Sequence, residues 1–170
     1  MRRSSLLVCV IAMLGGAAMI GLPGLSAASS PTSSAHPVRT IHLRTHQLFL
    51  KILDTAKPNG PSTGDEAVEK EILFSGGRRI GYDLLHFSVA TVDRAHGVLD
   101  VVVQGALVVR DGTINLQGET TFHGIRVGVT GGTGAYQHVM GQLTVLRTLP
   151  DGGDLDVVQL IDVGGTSANG

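Results

Sequence analysis

The stretch that decides the fold is Thr113-Ile114-Asn115-Leu116-Gln117-Gly118-Glu119-Thr120-Thr121-Phe122-His123. In an extended chain Ile114, Leu116, Gly118, Thr120 and Phe122 point one way, and Asn115, Gln117, Glu119, Thr121 and His123 the other. Alternation with period two marks a β-strand with one buried and one wet face. Just upstream, Asp111-Gly112 follows the apolar run Leu107-Val108-Val109. Asp-Gly between two such runs predicts a tight hairpin in which Gly112 takes a positive φ.

The same grammar extends in both directions. Turn signals recur at Pro58-Asn59-Gly60-Pro61, Ser75-Gly76-Gly77, Asp93 to Gly97, Gly131 to Gly134 and Pro150-Asp151-Gly152-Gly153, with no helix-period segment between them. The intervening runs predict strands at about 40–53, 66–74, 79–92, 98–110, 113–123, 125–130, 139–148 and 154–163. Val98 to Val103 and Leu107 to Val109 are apolar on both faces. Closing the sheet removes its edges, so an all-β, eight-stranded antiparallel β-barrel is expected, wide enough to be packed or to hold one small ligand. Two-sided apolar strands also predict a covered outer wall, most simply by another subunit of a homo-oligomer. The first strand carries a conflict. Ile41 and Leu43 are apolar at odd positions, whereas Leu48, Leu50 and Ile52 are apolar at even ones. Either a bulge near Gln47 or a second half buried on both faces explains the flip.

The N-terminus belongs to another class of sequence. Arg2 and Arg3 precede an apolar run from Leu6 to Leu22, and Ser26-Ala27-Ala28 follows. These are the charged start, apolar core and small-residue cleavage site of a secretory signal, so residues 1–28 are expected to be removed and the protein secreted, extracellular. Residues 29–38 read as a Ser/Pro linker, 39–163 as the barrel domain and 164–170 as a flexible tail. Without 1–28 the chain keeps 11 basic and 14 acidic residues and no basic run, which argues against nucleic acid or, after cleavage, a membrane as partner. Its one cysteine, Cys9, lies in the signal, so no disulfide and no thiol nucleophile is expected.

Motifs for established chemistries are missing. Gly131-Gly132-Thr133-Gly134-Ala135-Tyr136 is not followed by Gly-Lys-Ser/Thr and reads as a connection between strands. His42 and His46 would be separated by roughly 13 Å along a strand, too far for one metal, and the other histidines lack ligand spacing. No metal and no cofactor is expected. No Gly-x-Ser-x-Gly elbow occurs. Asp151, Asp154 and Asp156 flank a turn and read as solvated. Asp83 stands out as a lone acid among apolar neighbours; it either points outward or lines a cavity.

From Gly64 to about Val145 the pattern is that of a known superfamily. Gly64-Asp65, Leu73 with Arg79-Ile80-Gly81, Gly112-x-Ile114-x-x-Gln117-Gly118, Val129-Thr130-Gly131-Gly132-Thr133-Gly134-Ala135-Tyr136 and Gly141-x-x-Thr144-Val145 occur in order. The chain resembles the allene oxide cyclase and dirigent barrels, in particular their secreted bacterial members. The resemblance implies an eight-stranded barrel, often oligomeric (dimer or trimer), that takes a small apolar ligand at its mouth and uses no cofactor. It implies that Asp83, Leu85, Phe87 and Val89 face inward, while Tyr82, His86 and Ser88 face outward. The family's functional positions do not carry over. A pocket cysteine of the cyclases matches Phe87, a dirigent acid matches Thr120, a dirigent arginine matches Ile125, and the cyclase glutamate has no acidic match near Phe49. Asp83, Phe87, Thr120 and Phe122 are therefore the expected ligand-binding residues, with no catalytic residue assigned. Two functions are open: a barrel that binds or shapes a small apolar molecule, as a cofactor-independent cyclase, isomerase or stereocontrol protein, or a packed structural or stress-related protein. A cavity of about 300 Å³ or more separates them.

Overall fold

The computed structural model describes residues 38–55, 60–121 and 124–164. The expected signal peptide, almost all of the linker and tail, and Phe122 lie outside the described residues. Eight strands run in chain order: β1 (Val38–Leu53), β2 (Glu66–Ser75), β3 (Arg78–Asp93), β4 (Val98–Val109), β5 (Gly112–Thr121), β6 (Arg126–Gly132), β7 (Val139–Thr148) and β8 (Asp154–Asp162). Each pairs antiparallel with the next, and β8 pairs with β1, which closes the barrel. Among the described residues every strand has a neighbour on both sides.

The parity flip in β1 is a bulge. Thr45, His46 and Gln47 pair with Leu73, Ile72 and Glu71 in register; then the register skips Leu48, and Phe49 pairs with Lys70. One extra residue returns Leu50 and Ile52 to the side already held by Gln47, and all three line the interior. The β4–β5 hairpin turns on Arg110 and Asp111, with Val109 paired to Gly112. Gly112 has φ 142°, and a Cβ there would lie 2.1 Å from the Thr133 carbonyl oxygen. The segment from Gly131 to Tyr136 ends β6 and forms a short 3₁₀ turn over Gly134–Tyr136. It is tied to the neighbouring hairpin: Ala135 N–H donates to the Asp111 carbonyl at 2.9 Å, and Thr133 N–H to that of Thr113 at 3.0 Å. At Gly132 a Cβ would come within 1.9 Å of the Thr113 oxygen, so only glycine permits this approach.

The interior has two halves. At the end bearing the β2–β3, β4–β5 and β6–β7 connections, Leu43, Leu73, Ile114, Val129, Tyr136, Val139, Val158 and Leu160 form a solid plug, each at most 8% exposed. Each such side chain contributes roughly 1.5–3 kcal/mol through burial. Toward the other end, with the β1–β2, β3–β4, β5–β6 and β7–β8 connections, the barrel is hollow. The outer wall is partly apolar. Leu84 is 48% exposed on β3, opposite Lys70 and Ala106 on its neighbours.

Candidate ligand cavity

The hollow half holds a cavity of about 480 Å³. One wall is aliphatic: Leu99, Val101, Val103 and Leu107 from β4, Leu116 from β5, Val127 from β6, and Leu143 and Val145 from β7. Leu85, Phe87 and Val89 extend it along β3. The facing wall, from β8 through β1 and β2 to the start of β3, is acidic. Glu69 and Glu71 on β2, Asp83 on β3, and Asp154 and Asp156 on β8 all line it, with Gln47 from β1. Residues 54, 60, 61 and 65 of the β1–β2 connection and Gly152 form the rim. That connection is pinned by Asp65, whose carboxylate accepts from the backbone and hydroxyl of both Thr55 and Ser62 at 2.8–2.9 Å.

Strand parity puts these acids inside. On β2, Glu69 and Glu71 alternate in phase with Ala67 and Leu73, which are 8% and 0% exposed. On β8, Asp154 and Asp156 are in phase with Val158 and Leu160, at 0% and 2%. Glu71 and Asp156 each stand one inward step from a plug residue, so they form the cavity floor. Asp83 pairs directly with Glu71 on one side and Leu107 on the other.

The acids form a connected set. The Glu71 N–H donates to Asp83 Oδ1 at 2.9 Å. The Asp154 N–H donates to Thr45 Oγ1 at 2.6 Å, and the Thr45 hydroxyl in turn bonds the Glu71 carboxyl. Gln47 Nε2 donates to Glu69. Yet Glu71 Oε1, Asp154 Oδ1 and Asp156 Oδ1 are buried with no hydrogen-bond partner among the described residues. Burial in an apolar enclosure disfavours the ionised form, and neighbouring carboxylates add to the effect. Burial, then Glu69 and Asp83, push Glu71 up to about 10. Asp156 rises to about 8 through burial and then Asp154, Asp83 and Glu69. Asp83 rises to about 7, because burial and the charges of Glu69 and Asp154 outweigh its bond from Glu71. Burial also raises Glu69 and Asp154. Near neutral pH the floor is therefore largely protonated, with Asp83 close to its midpoint.

Of the residues singled out from sequence, Asp83 and Phe87 lie on this cavity, and the inward set Asp83, Leu85, Phe87 and Val89 shares one wall. Thr120 is buried but not on the cavity wall. Its hydroxyl donates toward the Thr121 and Gly124 carbonyls and accepts from Arg126 N–H, all at 3.3 Å, and so caps the β5–β6 turn. Asp83 is not a solitary acid. Asp154 and Asp156, expected in solvent beside a turn, belong to β8 and face inward, and the sequence reading missed Glu69 and Glu71 altogether. Their parity with Leu73 and with Val158 was the available signal.

The fold and cavity define a class: closed eight-stranded antiparallel barrels with an internal cavity open at one end. Solved structures share this fold at low sequence identity. A pyocyanin demethylase is 24% identical, with a TM-score of 0.65 over 72% of this chain and 99% of that one. The Diels-Alderase AbmU from Streptomyces koyangensis is 17% identical, with a TM-score of 0.64 over 78% and 72%. The pterocarpan synthase dirigent protein GePTS1 is 14% identical, with a TM-score of 0.55 over 79% and 96%. No protein-family model and no curated protein matches the chain.

Proposed function

We propose that the barrel binds a small, mainly apolar molecule and shapes it during reaction, as a cofactor-independent cyclase, isomerase or stereocontrol protein. The observation that carries this reading is the cavity of about 480 Å³, plugged at one end and open at the other. A packed structural barrel would have no such space, and the volume lies within the roughly 300–1,000 Å³ of small-molecule sites. The aliphatic wall of β4–β7 fixes the shape of the ligand and excludes water. Orientation in a shaped enclosure is itself a large catalytic contribution. The floor adds proton transfer: Glu71, protonated at neutral pH, is a donor, and Asp83, near its midpoint, takes or returns a proton. Phe87 contributes an aromatic face beside them. Neighbours named as a demethylase, a Diels-Alderase and a dirigent protein support a barrel that handles small molecules.

The N-terminal charged, apolar and small-residue pattern supports secretion, and the exposed Leu84 supports a homo-oligomer. The test of the cavity is direct. Small molecules extracted from protein purified from its native source are identified by mass spectrometry, and binding of Nile red is measured with and without Val103→Trp. Val103 is 1% exposed and faces the space, so indole there fills it. Loss of the copurified molecule and of dye binding in the variant is expected. Equal binding by both proteins would move the ligand to the outer surface and end this reading.

A further inference from the structure

We infer that the cavity selects a cation: a small, mostly apolar molecule bearing a protonated amine or a positively charged ring, its charge set against Glu71 and Asp156 and its hydrocarbon against the β4–β7 wall. The inference deepens the functional reading above and rests on it.

The first ground is composition. Glu69, Glu71, Asp83, Asp154 and Asp156 bring five carboxyl groups to one cavity, and among the described residues no Lys, Arg or His lines it. Buried acids are ordinarily paired with a base. Among the described residues the ion pairs Arg44–Asp151, His86–Glu66 and His96–Asp93 involve none of the five. The second ground is independent of charge. Glu71 is 3% exposed and Asp156 is 6% exposed, yet Oε1 of one and Oδ1 of the other find no donor among the described residues. A buried acceptor left without a donor costs free energy that a ligand N–H would recover. One neutral donor satisfies one oxygen, whereas a positive charge stabilises every carboxylate around it at once.

An inorganic cation fits less well. Among the described residues no three His, Cys, Asp or Glu side chains converge closely enough to hold a metal ion. The acids are spread over β2, β3 and β8 and face an aliphatic wall, an arrangement matched by a charge carried on a hydrocarbon body. Protons enter the same account. Acids kept protonated by burial must lose a proton to meet a cation, so binding releases protons and strengthens with pH. The groups around the site do not oppose this trend. β1 presents uncharged Thr45 and Gln47, β7 presents Thr148, and the rim carries Asp54, Asp65 and Glu66, the last beside His86 on the outer wall.

A charge series on one ring tests the inference: 1-naphthylmethylamine, 1-naphthylmethanol and 1-naphthoate, titrated into the full barrel at about pH 5.5 and 7.5. At the higher pH the amine is expected to bind about tenfold or more tighter than the alcohol, with the carboxylate weakest. Amine affinity should rise about tenfold or more between the two pH values, and alcohol affinity should stay level. Glu71→Gln and Asp156→Asn, which keep shape and acceptor oxygens, should each lower amine affinity severalfold and alcohol affinity by far less. Alcohol or carboxylate binding as tightly as the amine would overturn the selectivity for cations and leave the ligand cavity standing. An amine preference that survives the Glu71→Gln/Asp156→Asn double variant would overturn the assignment to these residues. Failure of all three compounds and of Nile red would remove the cavity reading and this inference together.

Discussion

Glu71 and Asp83 sit directly opposite each other on β2 and β3, both side chains turned into the barrel, with the Glu71 N–H bonded to Asp83 Oδ1 at 2.9 Å. Two carboxyl groups so close and so dry cannot both ionise cheaply. Glu71 moves from its ordinary 4.5 to about 10, and Asp83 from 3.8 to about 7. In the unfolded chain both lose their protons near pH 4. The folded barrel keeps them, so it binds more protons than the unfolded chain above that pH. The stability present below pH 4 is lost progressively as pH rises toward and through the folded values. The barrel should therefore melt higher at about pH 5 than at about pH 8. Glu71→Gln should flatten this slope and raise stability at pH 8 by about 2 kcal/mol or more. Denaturant melts at the two pH values check the sign, and a wild-type barrel more stable at pH 8 would contradict it.

Asp83 itself can be followed. Its side-chain carboxyl carbon should titrate near neutral pH in an NMR series, with the midpoint falling in Glu69→Gln, which removes a neighbouring carboxylate that raises it. A midpoint near 3.9, the ordinary aspartate value, would mean that Asp83 meets bulk water and would undo the account of the cavity floor.

The β4–β5 hairpin gives a prediction about the fold alone. At Gly112, a Cβ would press to 2.1 Å from the Thr133 carbonyl, and φ is 142°. A β-branched residue suffers both penalties, because the contact is with backbone and the conformation is strained for any L side chain. Gly112→Val should cost about 2 kcal/mol or more, read as a lowered midpoint in urea. An unchanged midpoint would show that the β6–β7 connection does not sit against this hairpin.

The strands were legible because alternation survives in most of them, and even the bulge left a trace, since the apolar parity of β1 flips at Gln47 and the register skips at Leu48. The acidic wall was not legible for a physical reason. In Glu66-Ala67-Val68-Glu69-Lys70-Glu71-Ile72-Leu73, both parities mix charge with hydrocarbon, so hydropathy does not tell the inner face from the outer. Charged residues in phase with buried leucine look like an error of register, because burial of an acid is costly. The barrel bears that cost on β2 and β8, where Glu71 and Asp156 share phase with Leu73 and Val158. Local pattern also misled at Asp154 and Asp156: nearness to Pro150-Asp151-Gly152-Gly153 suggested a wet turn, but β8 begins at Asp154. Thr120 shows the converse. Its inward phase was readable, but its hydroxyl partners across the β5–β6 turn were not.

Phe87 and Thr120 should therefore separate when each is replaced. Phe87 lines the cavity on β3, paired with Ala67 and Val103, and its ring is half-buried. Phe87→Ala removes contact area from a surface that already faces open space. Its cost in stability should stay near 1–2 kcal/mol, below the roughly 3–5 kcal/mol of a fully packed phenylalanine. Affinity for an apolar ligand should fall about tenfold, since that ring is part of what the ligand touches. Thr120 makes no part of the cavity wall. Thr120→Val keeps its shape but removes the acceptor for Arg126 N–H and the donor to the Gly124 carbonyl. That loss should cost about 1 kcal/mol and loosen the β5–β6 turn, with ligand affinity unchanged. Urea melts and Nile red titrations on the two variants give the four numbers needed. Weakened binding in Thr120→Val at full stability would bring Thr120 back to the ligand, and tight binding in Phe87→Ala would take the ligand off the β3 wall.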